Sequence, residues 1–208
     1  MSTGNEIVDL QGPNSPSKDG WGGIFDTNRP SLQAALEGMG YKVVDLGIVP
    51  DELSMSLSAH CHSLTPNSIA SHVSVIKRGL DEADILLTTG GTSMGPSDLL
   101  KPVIERYFNG TIHFGRVTVK PGKPTTFASI LIPDSKGPIR KQVFALPGNP
   151  ASALVTFYIF VVPALRKLGG WPLAQCQLPR VRVHVRSFDC QLVWLTRTLL
   201  IAPKCNAT

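Results

Sequence analysis

Cysteine is scarce in this sequence: four residues of 208, Cys61, Cys176, Cys190 and Cys205, with no C-x-x-C pair among them. That pattern provides no framework for a finger-type zinc site or a disulfide scaffold, and reduced thiols in a cytoplasmic chain are expected. The tripeptide His60-Cys61-His62 invites a zinc reading, but adjacent residues cannot easily share one tetrahedral ion, and no second ligand pair follows at finger spacing. Charge is also sparse, at 17% of residues. The net +5 is spread along the chain without a basic run, so a small anionic ligand accounts for it as well as nucleic acid does, and no nucleic-acid partner is expected. No basic-then-apolar leader opens the sequence, and a secretion signal is not expected. The longest apolar run, Ala151 to Leu165, falls short of the roughly 20 residues a bilayer requires, so no membrane insertion is expected. No Ser-His-Asp or Cys-His spacing presents itself, which turns the reading away from nucleophilic hydrolysis.

What is present is an ordinary globular composition, 42% hydrophobic, long enough for one sizeable core. The stretch that organises it runs from Asp84 to Asp98. Ile85 to Thr89 reads as a buried strand, and Gly90-Gly91-Thr92-Ser93 as a loop after it. Glycines allow positive φ, so successive N–H groups can converge on an anion, with hydroxyls as further donors. Asp98, past the loop, is a better magnesium ligand than phosphate ligand. A strand-to-helix turn without a ligand is the plainer reading of this loop taken alone.

Upstream, Thr3-Gly4-Asn5-Glu6 looks like the end of a strand whose body is absent, and the Gly-, Pro- and Ser-rich segment to Phe25 is a loop. Asp26 or Thr27 caps a helix that Pro30 suits and Gly40 ends; Leu32, Ala35, Leu36 and Met39 share its apolar face. Tyr41 to Val49 reads as a strand. Residues 51–67 read as an inserted surface loop. Ile69, Val73, Ile76 and Leu80 return to helical spacing. A helix over 97–107 contains Pro102, so it either starts there or has a loosened first turn. Ile112 to Val119, Thr125 to Ile132 and Lys141 to Leu146 read as strands, with a turn over 133–138. Pro147-Gly148-Asn149-Pro150 then opens a long helix to about Leu168, with Asn149 as N-cap and Pro150 as first helical residue. Its all-round apolarity predicts full burial.

Strands alternating with helices predict an α/β fold, a three-layer sandwich with a mostly parallel sheet. In such sheets ligands bind beyond the carboxyl ends of the strands. The loops at Gly90, Lys120 and Pro147 all follow strands, so one rim can gather all three. Lys120 and Lys123 flank Pro121-Gly122 and would bring positive charge. Asn149 would bring a helix N-terminus, which favours anions. Glu6, Asp51 and Asp98, each just after a strand, could together hold Mg²⁺ against a phosphate or oxyanion. Solvated lysines, simple capping and solvated loop acids are the plainer readings of each taken singly.

These segments, with Asp26-Thr27-Asn28-Arg29 and Leu46-Gly47-Ile48-Val49, resemble the molybdopterin molybdenumtransferases, most closely the eukaryotic, gephyrin-like members. The resemblance covers most of residues 2–171, in family order. It implies a molybdopterin-binding domain over 1–185, followed by a divergent tail over 186–208. It implies adenylated molybdopterin and molybdate as substrates, with AMP and molybdenum cofactor as products. It implies catalytic roles for Glu6, Asp51, Asp98, Lys120 and Lys123, with Asp51 and Asp98 on magnesium. It further implies substrate contacts at Asp26, Asn28, Gly90, Gly91, Thr92, Ser93, Pro121, Gly122, Pro147, Gly148, Asn149 and Pro150. Asn5 stands where the family carries an acid. The family's preceding strand and flanking domains are missing, so the expectation is a piece of a longer protein, incomplete as an enzyme. Two other readings stay open. One is molybdopterin adenylyltransferase, which carries a related Gly-Gly-Thr loop. The other is a non-catalytic scaffold, since full-length relatives are homodimeric and gephyrin's homologous domain binds receptors.

Overall fold

The computed structural model describes residues 1–4, 6–9, 23–50, 66–92 and 99–178. Of the inserted loop expected over 51–67, residues 51–65 with His60-Cys61-His62 lie outside these residues, while Pro66 and Asn67 open a helix; the tail over 186–208 lies outside them too, as do Asp51, Ser93 and Asp98.

A six-stranded sheet is built from β1 (Ser2–Thr3), β4 (Ile48–Val49), β5 (Ile85–Thr89), β6 (Thr111–Phe114), β7 (Thr126–Ile132) and β8 (Ile139–Leu146). Their spatial order is β4-β1-β5-β8-β7-β6. β4, β1, β5 and β8 run parallel, and only β7 runs against its neighbours. Two short strands, β2 (Ile7–Val8) and β3 (Ile24–Phe25), form a separate parallel pair. Helices α2 (Pro66–Glu82) and α3 (Leu100–Phe108) cover one face through Ile76, Leu80, Val103 and Ile104. On the other face lie α1 (Asn28–Gly38) and the helical run α4 (Pro150–Thr156) and α5 (Val162–Leu168), packed through Leu32, Ala153, Phe157, Val162 and Leu165. The result is the expected three-layer α/β sandwich. A last short helix, α6 (Leu173–Cys176), buries the free thiol of Cys176.

Four expectations need adjustment. Of the strand expected over 41–49 only Ile48–Val49 pairs, with Gly47 O accepting from Ser2 N–H just before it, because no described strand lies beside residues 41–46 to complete a ladder. Of that expected over 112–119, only Thr111–Phe114 pairs; past it Val117 N–H turns to Lys123 O, 2.9 Å away, closing the loop instead. Pro102 sits in the first turn of α3, where its missing N–H has no helical acceptor in any case. The helical run from Pro150 is not buried all round: Leu154, Tyr158 and Leu168 are exposed. By length and composition Pro150–Leu168 would also suffice to cross a bilayer, which the apolar run alone did not suggest. Between α4 and α5 it carries a π-helical turn, Phe157–Val161, which keeps Phe157 and Val161 on the sheet.

Candidate functional site

The ends of β1, β5 and β8 meet at one rim. Gly90 N–H donates to Leu146 O at 3.1 Å, tying the loop after β5 to the end of β8. On its other side Gly90 (φ +82°) lies so close to β1 that an added Cβ would stand 2.4 Å from Thr3 O. Gly91 (φ +61°) is in the same position against Thr3 Oγ1, at 2.8 Å. No residue with a side chain satisfies either position, because both the backbone angle and the space forbid it. Ser2 and Thr89 share a hydroxyl hydrogen bond of 3.0 Å below this junction. Gly148 packs on Gly90 from the β8 side, where a Cβ would meet Gly90 Cα at 3.5 Å.

Asn149 is the N-cap the sequence predicted. Its Oδ1 accepts from Ser152 N–H at 3.1 Å, with Pro150 in the first turn. The helix start therefore faces the rim beside Gly90. Asn28 joins the same corner from α1, donating Nδ2–H to Gly148 O at 2.7 Å.

The lysine turn closes the rim from the far side. Gly122 (φ +122°) presses on α4, where a Cβ would meet Thr156 Cγ2 at 2.3 Å. Thr125 Oγ1 donates to Gly122 O at 2.7 Å. Lys120 and Lys123 are exposed, and among the described residues neither enters an ion pair. Two cations held by a rigid turn with no internal partner can attract an anion from solvent. Glu6 is exposed and folds its carboxylate back over Gly4, within 2.6 Å of where a Cβ would stand.

Asp26, expected at the helix start and as a substrate contact, is bound to Arg29. It is 3% exposed, accepts from Arg29 N–H at 3.1 Å and pairs with Arg29 Nε at 3.1 Å. Arg29 also pairs with Asp9 and Asp45, so one guanidinium joins three segments. Burial alone would lower its pKa; the hydrogen bonds to Asp9 and Asp26 and the charge of Asp45 outweigh that and raise it. Arg29 and Thr3 stand in the resembling segments of the sequence without a role of their own there. Thr3 carries no signal beyond its place before a glycine, whereas Asp26 and Arg29, three apart around a helix start, fit a capping pair. A further pair of residues was not foreseen. Thr88 and Thr126 both register with Ala145 from opposite sides, and their buried Oγ1 atoms have no hydrogen-bond partner among the described residues.

Among the described residues no group of three Asp, Glu, His or Cys side chains could hold a metal ion. The remaining rim carries backbone donors, a helix start and two lysines, a set suited to phosphate or another oxyanion.

A mostly parallel sheet with glycine-lined strand ends beside a capped helix puts the molecule among α/β domains whose crevice lies at the carboxyl rim of the sheet. Within that class, a family described as "Probable molybdopterin binding domain" matches residues 1–167, and the chain belongs to it. It is similar to a protein named gephyrin from Dictyostelium discoideum, 38% identical over 206 residues, covering 89% of this chain and 26% of that protein. Another relative is the molybdenum cofactor synthesis protein cinnamon of Drosophila melanogaster, 34% identical over 185 residues, covering 89% of this chain and 26% of that protein. A molybdopterin molybdenumtransferase of Haemophilus influenzae is 36% identical over 171 residues, covering 82% of this chain and 34% of that enzyme. The chain thus spans about a quarter to a third of the length of these relatives.

Proposed function

We propose that this chain works in molybdenum cofactor biosynthesis, holding the phosphate end of adenylated molybdopterin at the rim formed by Gly90, Gly148 and the Lys120–Lys123 turn. The reading rests on one observation above all: glycine contacts bring the β1, β5 and β8 ends together at one rim beside the start of α4. Pyrophosphate oxygens would lie against the Gly91 backbone and the start of α4. Lys120 and Lys123 would neutralise them and draw in molybdate. Asn28 and Asn149 would fix the crevice by holding Gly148 and Ser152. In this reading water cleaves the pyrophosphate bond to the adenylate, AMP leaves, the other phosphate stays on molybdopterin, and molybdate is taken up to give molybdenum cofactor; the electrostatic pull of the lysines is strongest where leaving-group charge develops.

Mg²⁺ belongs to the proposal through Asp51 and Asp98. The described residues form no metal site by themselves, so no step is assigned to it. Asp98→Asn keeps size and removes charge; it is expected to leave the melting temperature unchanged and to abolish magnesium-dependent turnover in a full-length protein.

The test is binding and turnover with adenylated molybdopterin. Lys120→Ala and Lys123→Ala should each weaken binding about tenfold, the size of a lost charge-assisted hydrogen bond, without shifting the melting temperature. That loss should shrink as salt rises. Binding that ignores both lysines would sink the reading. The chain alone, a quarter to a third of its relatives' length, is expected to bind the ligand without sustained molybdate-dependent AMP release.

A further inference from the structure

Three segments that lead to the rim each bring a carboxylate to the same guanidinium. Arg29, in the first turn of α1, donates from Nη2 to Asp9 at 2.7 Å, from Nε to Asp26 at 3.1 Å and from Nη1 to Asp45. Asp9 and Asp45 lie 20 and 16 residues away in sequence. An exposed ion pair contributes little, because both side chains keep their freedom in water. Arg29 differs: its side chain is 15% exposed and all three nitrogens are engaged. The guanidinium is a rigid planar fork, so partners fixed to its three nitrogens are also fixed relative to one another.

Each partner leads to a different part of the rim. Asp9 and Glu6 flank β2 at its two ends. That strand is held against β3, where Ile24 N–H donates to Glu6 O at 2.7 Å and Asp26 N–H to Val8 O at 2.9 Å. Asp45 uses its other oxygen locally, Oδ1 accepting from Gly47 N–H at 2.8 Å. Gly47 O accepts in turn from Ser2 N–H at 3.0 Å, and the next residue, Thr3, is the one on which Gly90 and Gly91 close. Asp26 holds the start of α1 through Arg29 N–H, beside the Asn28 that reaches Gly148 O.

We infer that Arg29 is a positioning residue: it sets the spacing of Glu6, the Thr3–Gly90 junction and the Asn28–Gly148 corner, and so shapes the crevice for its anion without touching it. Its effect on binding rests on the ligand reading given above, whereas the spacing itself does not. Lysine is no substitute, since it keeps the charge but offers one nitrogen in place of a three-nitrogen fork.

Two measurements on the full chain test this, with Arg29→Lys, Asp9→Asn and Asp45→Asn as variants. The first needs no ligand. In Arg29→Lys, amide deuterium exchange should quicken at Gly4, Ile24, Asp26 and Gly47 by about tenfold more than in β5 and β8. In Asp9→Asn the rise should be confined to Ile24 and Asp26, and in Asp45→Asn to Gly4 and Gly47. Ile76→Ala, a truncation in the α2 layer, is the control for lost stability, and should favour none of these amides.

The second measurement is affinity for adenylated molybdopterin. Arg29→Lys should weaken binding about tenfold with the salt dependence of the parent chain, because the ligand's own charged contacts stay in place. Asp9→Asn and Asp45→Asn each remove a negative charge, which by charge alone would strengthen anion binding. Through position they should weaken it. Exchange that rises no more at the four amides than in β5 and β8 would overturn the inference. So would tighter or unchanged binding by both Asp→Asn variants while Lys120→Ala weakens it. If neither Lys120→Ala nor Lys123→Ala alters binding, the ligand reading fails instead, and the exchange pattern alone decides the role of Arg29.

Discussion

At the scale of single residues, the rim depends on contacts no side chain can replace. Gly90→Ala forces a Cβ into Thr3 O at a positive φ. It should cost about 2 kcal/mol or more, read as a lower urea midpoint with an unchanged slope. Thr88 makes the opposite case. Its buried hydroxyl has no partner among the described residues, so Thr88→Val should stabilise the fold by about 1 kcal/mol in the same measurement. A loss of stability would mean the hydroxyl is satisfied in solution. The glycine pair, Asn149 and the lysine turn were legible in the sequence because each has a local signature. Thr3 and the Thr88–Thr126 pair were not, since their roles come from strand neighbours far apart in sequence. Asp26 was legible as a residue at the start of α1, where Arg29 N–H donates to it, but the Arg29 guanidinium that ties it to Asp9 and Asp45 was not, because those partners lie elsewhere in the sequence.

Helices proved easier to read than strands. Periodicity found α1 and α2, and the Asn-Pro pair fixed the start of α4 within a residue. That cap also carries a measurable load: Asn149→Ala leaves Ser152 N–H without its acceptor and should cost about 1 kcal/mol in unfolding free energy. Strand extent was misjudged at residues 41–47 because β propensity speaks only of one chain, whereas a strand exists through its neighbour. Tyr41 to Leu46 have the composition of a strand and lack a partner strand among the described residues. The exposed side of the helix from Pro150 was likewise invisible to hydropathy, which cannot tell an apolar residue on the sheet from one facing outward.

For the whole molecule, the buried Met1 ammonium sets a pH dependence. Its pKa falls from 8.0 to about 6 on folding, so between those values the unfolded chain binds more protons than the folded one. Stability is then full above pH 8, declines as pH falls through 8 to 6, and is lower by about 3 kcal/mol below 6. Comparing urea unfolding of the free and N-terminally acetylated chains isolates this group, and only the free chain should show the decline. β1 has a second consequence at this scale. Among the described residues, the hydrogen bonds that join β4 to the rest of the sheet come from Ser2, Thr3 and the adjoining Gly4, whose N–H donates to Val49 O at 3.3 Å; the remaining coupling is the Arg29–Asp45 pair and side-chain packing of the helices. A joint that narrow transmits little cooperativity, so the wing containing β4 and the block built on β5, β8 and β7 need not melt together. Calorimetry should return a van't Hoff enthalpy below the calorimetric one. Deleting Ser2 and Thr3 should then split the transition in two, leaving the β5–β8–β7 block as the part that melts last.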